Sequence, residues 1–367
     1  MARSLAKKGM KVTVLEWDRT ARLPKEEWVD GVRRVRLKLK GSYGLHAFAR
    51  LPLWLAYAGV HLLRNGYDFV QPQNFDNLTF SMFLRPFKRF RIVYDLADFY
   101  ADAYLPNFGV VTWAVRHAER QAIESADGLI MVSEGQVLQV GSSHIPAAHT
   151  WIYNSPTDME LEAQQAQTRT EGQNEGLVVL YVGVLDNYHM PFLANFIVTA
   201  EQFDGISIRV AGYGENESFF NHTFRNTRYL GRLPHADVYR ETRGCDLVLI
   251  PCGSDSINAR IGLPNKLFDA LSSSKPPIVE RGTLMAKIAQ ENQCGISTEF
   301  NDPSDILLTL RTILSMRDEL PAMGLRGKKL FDGKYRWAFA EGRLLGLYDH
   351  ASRQILPRSK QSLNKAA

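Results

Sequence analysis

What most constrains this chain is a rhythm. Short apolar runs rich in β-branched residues recur along it with stretches of helical spacing between them, the pattern of parallel βαβ units. In the first half these runs predict strands over 11–17 (KVTVLEW), 32–39 (VRRVRLKL), 68–73, 91–96 (RIVYDL), 128–133 (GLIMVS) and 150–155. A second series covers 177–183 (LVVLYVG), 206–212, 227–231, 246–251 (DLVLIP), 276–279 (PPIV) and 295–298. Residues 156–175 between the two series are polar and lack an apolar stripe, so they read as a linker. The expected layout is an N-terminal domain over 1–155, completed by a C-terminal helix at 336–352, then a second domain over 176–335 and a disordered tail at 353–367. The expected fold class is α/β, with two doubly wound parallel-sheet (Rossmann-like) domains facing a cleft. Open sheets of this kind bind ligands beyond the carboxyl ends of their strands.

The totals exclude several classes. A chain of 367 residues that is 45% hydrophobic and 23% charged suits a two-domain globular protein. Cys245, Cys252 and Cys294 have no metal-ligand spacing and read as reduced thiols of a cytoplasmic protein. No apolar run reaches 18 residues, and the longest, 51–63, contains Pro52 and His61, so no membrane-spanning helix is expected. No export signal is expected either. The net charge of +5 is uneven: residues 1–94 hold 18 Lys/Arg against 7 Asp/Glu, while 155–367 hold 24 against 25. That asymmetry fits an anionic surface, and residues 33–65 and 84–91, where cations flank a Trp-, Tyr- and Leu-rich helix, read as a peripheral contact with an anionic membrane or as a solvated basic face. No nucleic-acid-binding module accompanies the basic residues.

The segment IGLPNKLFDALSSSKPPIV, 261–279, carries the sharpest chemical signal. Pro264 suits the first position of a helix running to about Ser273. Lys266 then falls in the first turn, which already carries roughly half a positive charge, and a cation there costs about 0.3–1 kcal/mol without an anion nearby. With Asn265 and the free N–H groups of that turn, Lys266 is placed to hold a phosphate or diphosphate, and Arg260 can add a bidentate contact. The plainer reading pairs Lys266 with Asp269 or with solvent.

The ordered pieces LYVGVL (180–185), AGYGE (211–215), YLGRLPHADVYRETRGCDLVLIP (229–251), LPNKLFDALSSSKPPIV (263–279) and QCGIS (293–297) resemble the second domain of the group 1 glycosyltransferases, retaining sugar-nucleotide enzymes of GT-B fold. The resemblance implies a hexosyltransferase that needs neither metal nor further cofactor and takes a UDP- or GDP-linked sugar as donor. It implies that Lys266 holds the donor diphosphate, that Asp269 accepts from ribose hydroxyls, that Gly231, Arg232 and Leu233 cradle the base, and that Gly183 and Val184 admit the phosphates. For Gly212 and Gly214 a plain turn and a ligand contact stay open. In the first domain, IVYDLADFYADAY (92–104) resembles the strand end near the transferred sugar. It makes Asp98 the candidate catalytic contact, with Asp95 beside it on the acceptor side, or else both cap the following segment.

The chain departs from the family in three places. Ile261 stands eight residues before Asp269, where many members carry a first glutamate. No Arg or Lys follows Gly183 in GVLDNYHMP, so Arg260 and Lys266 must carry the charge, with His189 a possible helper. The opening MARSLAKKGMKVTVLEWDR resembles the end of the family's first helix and its second strand, so the first domain is expected to lack its first strand. The reading that follows is sugar transfer from a nucleotide diphosphate to a hydroxyl of a lipid-linked or cell-surface glycan, as in polysaccharide biosynthesis, at the inner membrane face. The alternatives are a catalytically idle partner subunit and a GT-B sugar-nucleotide epimerase.

Overall fold

The computed structural model describes residues 1–41, 45–105, 108–158, 161 and 176–353. The chain divides into two compact units, Met1–Ile152 together with the chain from Glu341, and Tyr153–Ala340. Most of the expected linker and all of the expected tail except Arg353 lie outside the described residues.

The first unit holds two sheets. One has the order β1-β3-β2, from β1 (Val12–Asp18), β2 (Glu26–Val29) and β3 (Val32–Lys38), and the other runs β4-β5-β6-β7, from β4 (Phe69–Val70), β5 (Arg91–Leu96), β6 (Gly128–Met131) and β7 (His149–Trp151). The second sheet is wholly parallel, and β5 and β6 are buried on both faces, which is why they read as continuous apolar runs. The first sheet is mixed, because β2 pairs antiparallel with β3. Sequence reasoning missed β2, although its signal was present: Asp30 and Gly31 both take positive φ, 52° and 77°, as the two central residues of a tight hairpin require. Expected strands at 68–73 and 150–155 shorten to two and three residues.

The helices of this unit are α1 (Ala2–Lys7), α2 (Leu45–Arg64), α3 (Phe75–Leu84), α4 (Tyr100–Tyr104), α5 (Val110–Glu124) and α6 (Val137–Val140). Leu78, Ile92, Tyr94, Leu96, Phe99, Ile123, Leu129 and Met131 form the core. The basic strand β3 is not a free cationic face. Arg33 pairs with Glu26 at 2.7 Å, Arg34 reaches Glu16 at 3.4 Å, and the buried Arg36 bonds Glu16 at 2.7 Å and also Glu27. Residues 33–36 therefore offer little charge to an external anion, which corrects part of the expected membrane contact.

The second unit is one parallel sheet of order β10-β9-β8-β11-β12-β13. Its strands are β8 (Leu177–Val184), β9 (Ile206–Tyr213), β10 (Thr227–Gly231), β11 (Leu247–Ile250), β12 (Pro277–Glu280) and β13 (Ile296–Thr298). Numbered within the unit, this is 3-2-1-4-5-6, the dinucleotide-fold order, and the direction of winding reverses between β8 and β11. Its helices are α7 (Met190–Ala200), α8 (His235–Gly244), α9 (Ile257–Ile261), α10 (Asn265–Ser272), α11 (Leu284–Glu291), α12 (Pro303–Ser315) and α13 (Leu320–Leu330). Tyr181, Phe196, Ile208, Leu249, Ile278 and Phe300 anchor the core. The last helix, α14 (Trp337–Arg353), begins in this unit and ends in the first, where the Tyr348 hydroxyl donates to Gln71 Oε1 at 2.7 Å and its ring meets Phe69 edge-on at 5.0 Å.

Candidate functional site

The carboxyl ends of β8 and β11 flank the winding reversal, the place where open sheets of this type take ligands. Tyr181 is fully buried and its hydroxyl donates to the Val184 carbonyl at 2.8 Å, which fixes the end of β8. Beside it the backbones of β8 and β9 approach closely. A Cβ on Gly212 would lie 2.1 Å from the Gly183 carbonyl oxygen, and one on Gly214 would lie 2.5 Å from that of Leu185. Strand packing accounts for both glycines without a ligand.

α10 opens beyond β11. Pro264 has φ −71° and ψ 156°, so it is the extended residue before the helix and not its first residue, a correction of one position. Among the described residues no side chain caps this end; Leu267 N donates to the Pro264 carbonyl at 3.0 Å, which leaves the N–H groups of Asn265 and Lys266 to face a ligand. Asn265 is exposed. Lys266 turns back across the end of β8: its Nζ sits 4.5 Å from the centroid of the Tyr181 ring. The ammonium lies so close to Gly183 that a Cβ there would be 2.4 Å from it.

Among the described residues no carboxylate forms an ion pair with Lys266. Burial pulls its ammonium down to about 8, offset in part by the Asp186 carboxylate and by Cys252. Cys252, at the end of β11, is itself pushed up to about 12 by burial and by Glu280. Burial opposes the Asp186 charge, yet hydrogen bonds from the His189 backbone N and ring Nδ1, both 2.8 Å, and from Tyr188 N at 3.1 Å hold the carboxyl below its ordinary range. His189, a candidate phosphate helper, is thus engaged with Asp186. Lys266, Gly183, Tyr181 and Asp186 form one cluster, in which Tyr181 and Asp186 were not singled out from sequence.

The other candidates of this unit lie around that cluster or apart from it. Val184 is exposed and Asp269 half-buried, three residues on from Lys266. Arg260 is exposed on the short helix α9, whose start is capped by the Ser256 hydroxyl accepting from Ala259 N at 3.1 Å. Gly231 ends β10 at φ 66°, a conformation that favours glycine. Arg232 follows and lies 4.5 Å over the Tyr213 ring, with Leu233 half-buried next in the chain.

In the first unit, Asp95 and Asp98 follow different fates. Asp95 is buried and accepts from the Gln71 amide at 3.1 Å; burial raises its carboxyl above the ordinary range. Asp98 is exposed in the bend after β5. Neither caps α4, as one reading expected. That role falls to the fully buried Glu119 of α5, which accepts from Tyr100 N at 3.1 Å, Ala101 N at 3.3 Å and the Tyr94 hydroxyl at 3.2 Å. Burial raises the Glu119 carboxyl to about 7 against those bonds. Among the described residues no group of three or more His, Cys, Asp or Glu is arranged to hold a metal ion.

Residues 1–154 match the glycosyl transferase 4-like domain family. Over nearly the whole chain the fold is that of GT-B glycosyltransferases. Sucrose-phosphate synthase from Thermosynechococcus elongatus aligns over 95% of this chain and 90% of its own, with TM-score 0.75 and 14% identity. The catalytic domain of starch synthase IV from Arabidopsis thaliana, bound to ADP and acarbose, aligns over 96% and 94%, with TM-score 0.68 and 12% identity. HepE of Anabaena in complex with UDP aligns over 87% and 86%, with TM-score 0.65 and 13% identity. No curated protein sequence matches the chain. The chain thus resembles the group 1 glycosyltransferases, as its second-unit motifs imply, and has an α/β fold of GT-B type.

Proposed function

We propose that the protein is a retaining glycosyltransferase, of hexosyltransferase type and independent of metal, that moves a sugar from a nucleoside diphosphate to a hydroxyl acceptor on a lipid-linked or cell-surface glycan. The observation that carries the donor side is the desolvated Lys266 ammonium, unpaired among the described residues, in the uncapped first turn of α10. A cation so placed is unfavourable by itself and favourable once a diphosphate arrives. When the bond from the anomeric carbon to the diphosphate oxygen breaks, its electron pair stays on the leaving group, where the Lys266 charge and the α10 N–H groups stabilise it; the acceptor oxygen forms the new bond to that carbon and its proton passes to the departing diphosphate. Asp98 is the candidate contact for the acceptor hydroxyl, with Asp95 behind it. The other donor contacts in this reading are Gly183, Val184, Gly231, Arg232, Leu233, Arg260 and Asp269.

The structural neighbours bound to UDP and to ADP support a nucleoside diphosphate as the leaving group. The test is calorimetric titration with UDP, GDP and ADP. At least one should bind, and Lys266→Ala should weaken it by tenfold or more without lowering the melting temperature. Normal nucleotide binding by that variant would overturn the donor assignment. Peripheral membrane contact belongs to the same reading.

A further inference from the structure

Arg33, Arg34, Arg36 and Arg85, among the cations that drew attention to the basic first unit, are ion-paired, but one face keeps cations without an ion pair among the described residues. α2 packs on α3 through Gly59, where a Cβ would lie 2.8 Å from the Phe80 ring. Alongside that contact α2 leaves Leu53, Val60 and Leu63 exposed, at 58%, 48% and 41%, a spacing that places them on one side of the helix. Beyond it, Phe83 follows Phe80 by one turn with ring centroids 6.4 Å apart, and Phe87 lies 6.1 Å from Phe83. These two rings are 66% and 67% exposed, among the larger exposures for aromatic residues in the chain.

The sequence around these side chains is basic, although Glu26 of β2 acts on Tyr57 and His61 of α2. No Asp or Glu occurs between 45 and 67 or between 77 and 94. Arg85 is bound to Asp127 at 2.6 Å, but among the described residues Arg64, Lys88 and Arg89 have no ion pair, and Arg64 and Arg89 are exposed. Exposed apolar side chains beside cations that have no ion pair fit a bilayer surface better than another protein: the aromatic and aliphatic tips enter the acyl boundary while the cations meet anionic head groups. No helix among the described residues is long and apolar enough to cross a membrane, so this contact would be peripheral.

We propose that the face formed by Leu53, Val60, Leu63, Phe83 and Phe87, with Arg64, Lys88 and Arg89 beside it, binds an anionic lipid surface, with the Phe83 and Phe87 rings inserting. This deepens the functional reading by naming the surface, and its test is independent of donor binding. The full chain is sedimented with phosphatidylcholine vesicles and with vesicles in which about a third of the lipid is phosphatidylglycerol. Binding is expected to the second kind, to weaken with added salt, and to fall at least tenfold in Phe83→Ser/Phe87→Ser and in Lys88→Glu/Arg89→Glu, with melting temperatures unchanged. Lys266→Ala should bind vesicles like the parent chain, so a failed donor assignment and a failed membrane assignment separate. The proposal is overturned if both vesicle types bind equally, if neither binds, or if the two double variants instead break a dimer of the chain in solution.

Discussion

The Lys266 ammonium occupies the place where a side chain on residue 183 would be, 2.4 Å from the Cβ position that Gly183 lacks. A glycine at the end of β8 and a lysine 83 residues later are therefore one device. Gly183→Ala should push the ammonium off the Tyr181 ring and weaken nucleotide binding by about ten- to a hundredfold, since one charge-assisted contact contributes roughly 1.5–3 kcal/mol. The double variant with Lys266→Ala should bind no worse than Lys266→Ala alone, because both remove the same contact. Additive losses in titration calorimetry would separate the two residues.

The same lysine sets a pH dependence. With its ammonium held down to about 8, Lys266 is charged at neutral pH and loses its proton as pH rises through about 8. Nucleotide affinity should be flat below that pH and fall by up to tenfold per pH unit above it, until the higher value of the complexed lysine is reached. Lys266→Arg should remove the decline between pH 7.5 and about 9.5 even if it binds more weakly, because arginine stays charged there.

Stability should move the other way. A lysine whose folded value is lowered destabilises the native state: the unfolded chain binds the proton below about 10.4, while the folded chain takes it only below about 8. The penalty is absent above about pH 10.4, grows as pH falls, and is complete below about 8. Lys266→Met should therefore raise stability at pH 7 by on the order of 1–3 kcal/mol, with the gain vanishing at high pH. Urea melts at two pH values would measure it.

Glu119 gives the opposite case in the first unit. Its folded value of about 7 lies above the ordinary 4.5, so the native state holds the proton more tightly than the unfolded chain between those values. Stability should fall as pH rises from about 4.5 to about 7 and be level in this respect above that. Glu119→Gln keeps an acceptor for the α4 N–H groups and should flatten the decline. Glu119→Ala leaves those buried donors unsatisfied and should lower stability by about 1–3 kcal/mol at pH 5.

Gly212 tests strand packing. A methyl group there would meet the Gly183 carbonyl at 2.1 Å, a backbone atom within the paired stretch of β8 and β9. Gly212→Ala should destabilise the second unit by about 1–3 kcal/mol, seen as a lower melting temperature. An unchanged melting temperature would show that the strand ends yield more easily than their packing implies.

The parts of the fold that came through in the sequence are those whose signal is local. Stretches such as 177–181 and 247–250 are buried on both faces, so composition alone marks them. β2 has mixed burial and contributes only four residues, and only the Asp30-Gly31 turn could have revealed it. The Lys266 anomaly was legible because helix electrostatics makes a cation in a first turn conspicuous. Its seat against Tyr181 and Gly183 was not, since that contact depends on how two strands far apart in sequence lie side by side. Glu119 was hidden for the same reason: the helix it caps begins 19 residues earlier, out of reach of any capping pattern.

The path of α14 bears on the order in which the protein can mature. Gln71 and Phe69 of the first unit find their partner in Tyr348, and Arg91 donates to the Ser352 carbonyl at 2.9 Å. Those partners leave the ribosome after the whole second unit has been made. The first unit, made before the second, is thus the last to be fastened, and until the final turns of α14 emerge Phe69 lacks the Tyr348 ring that meets it edge-on.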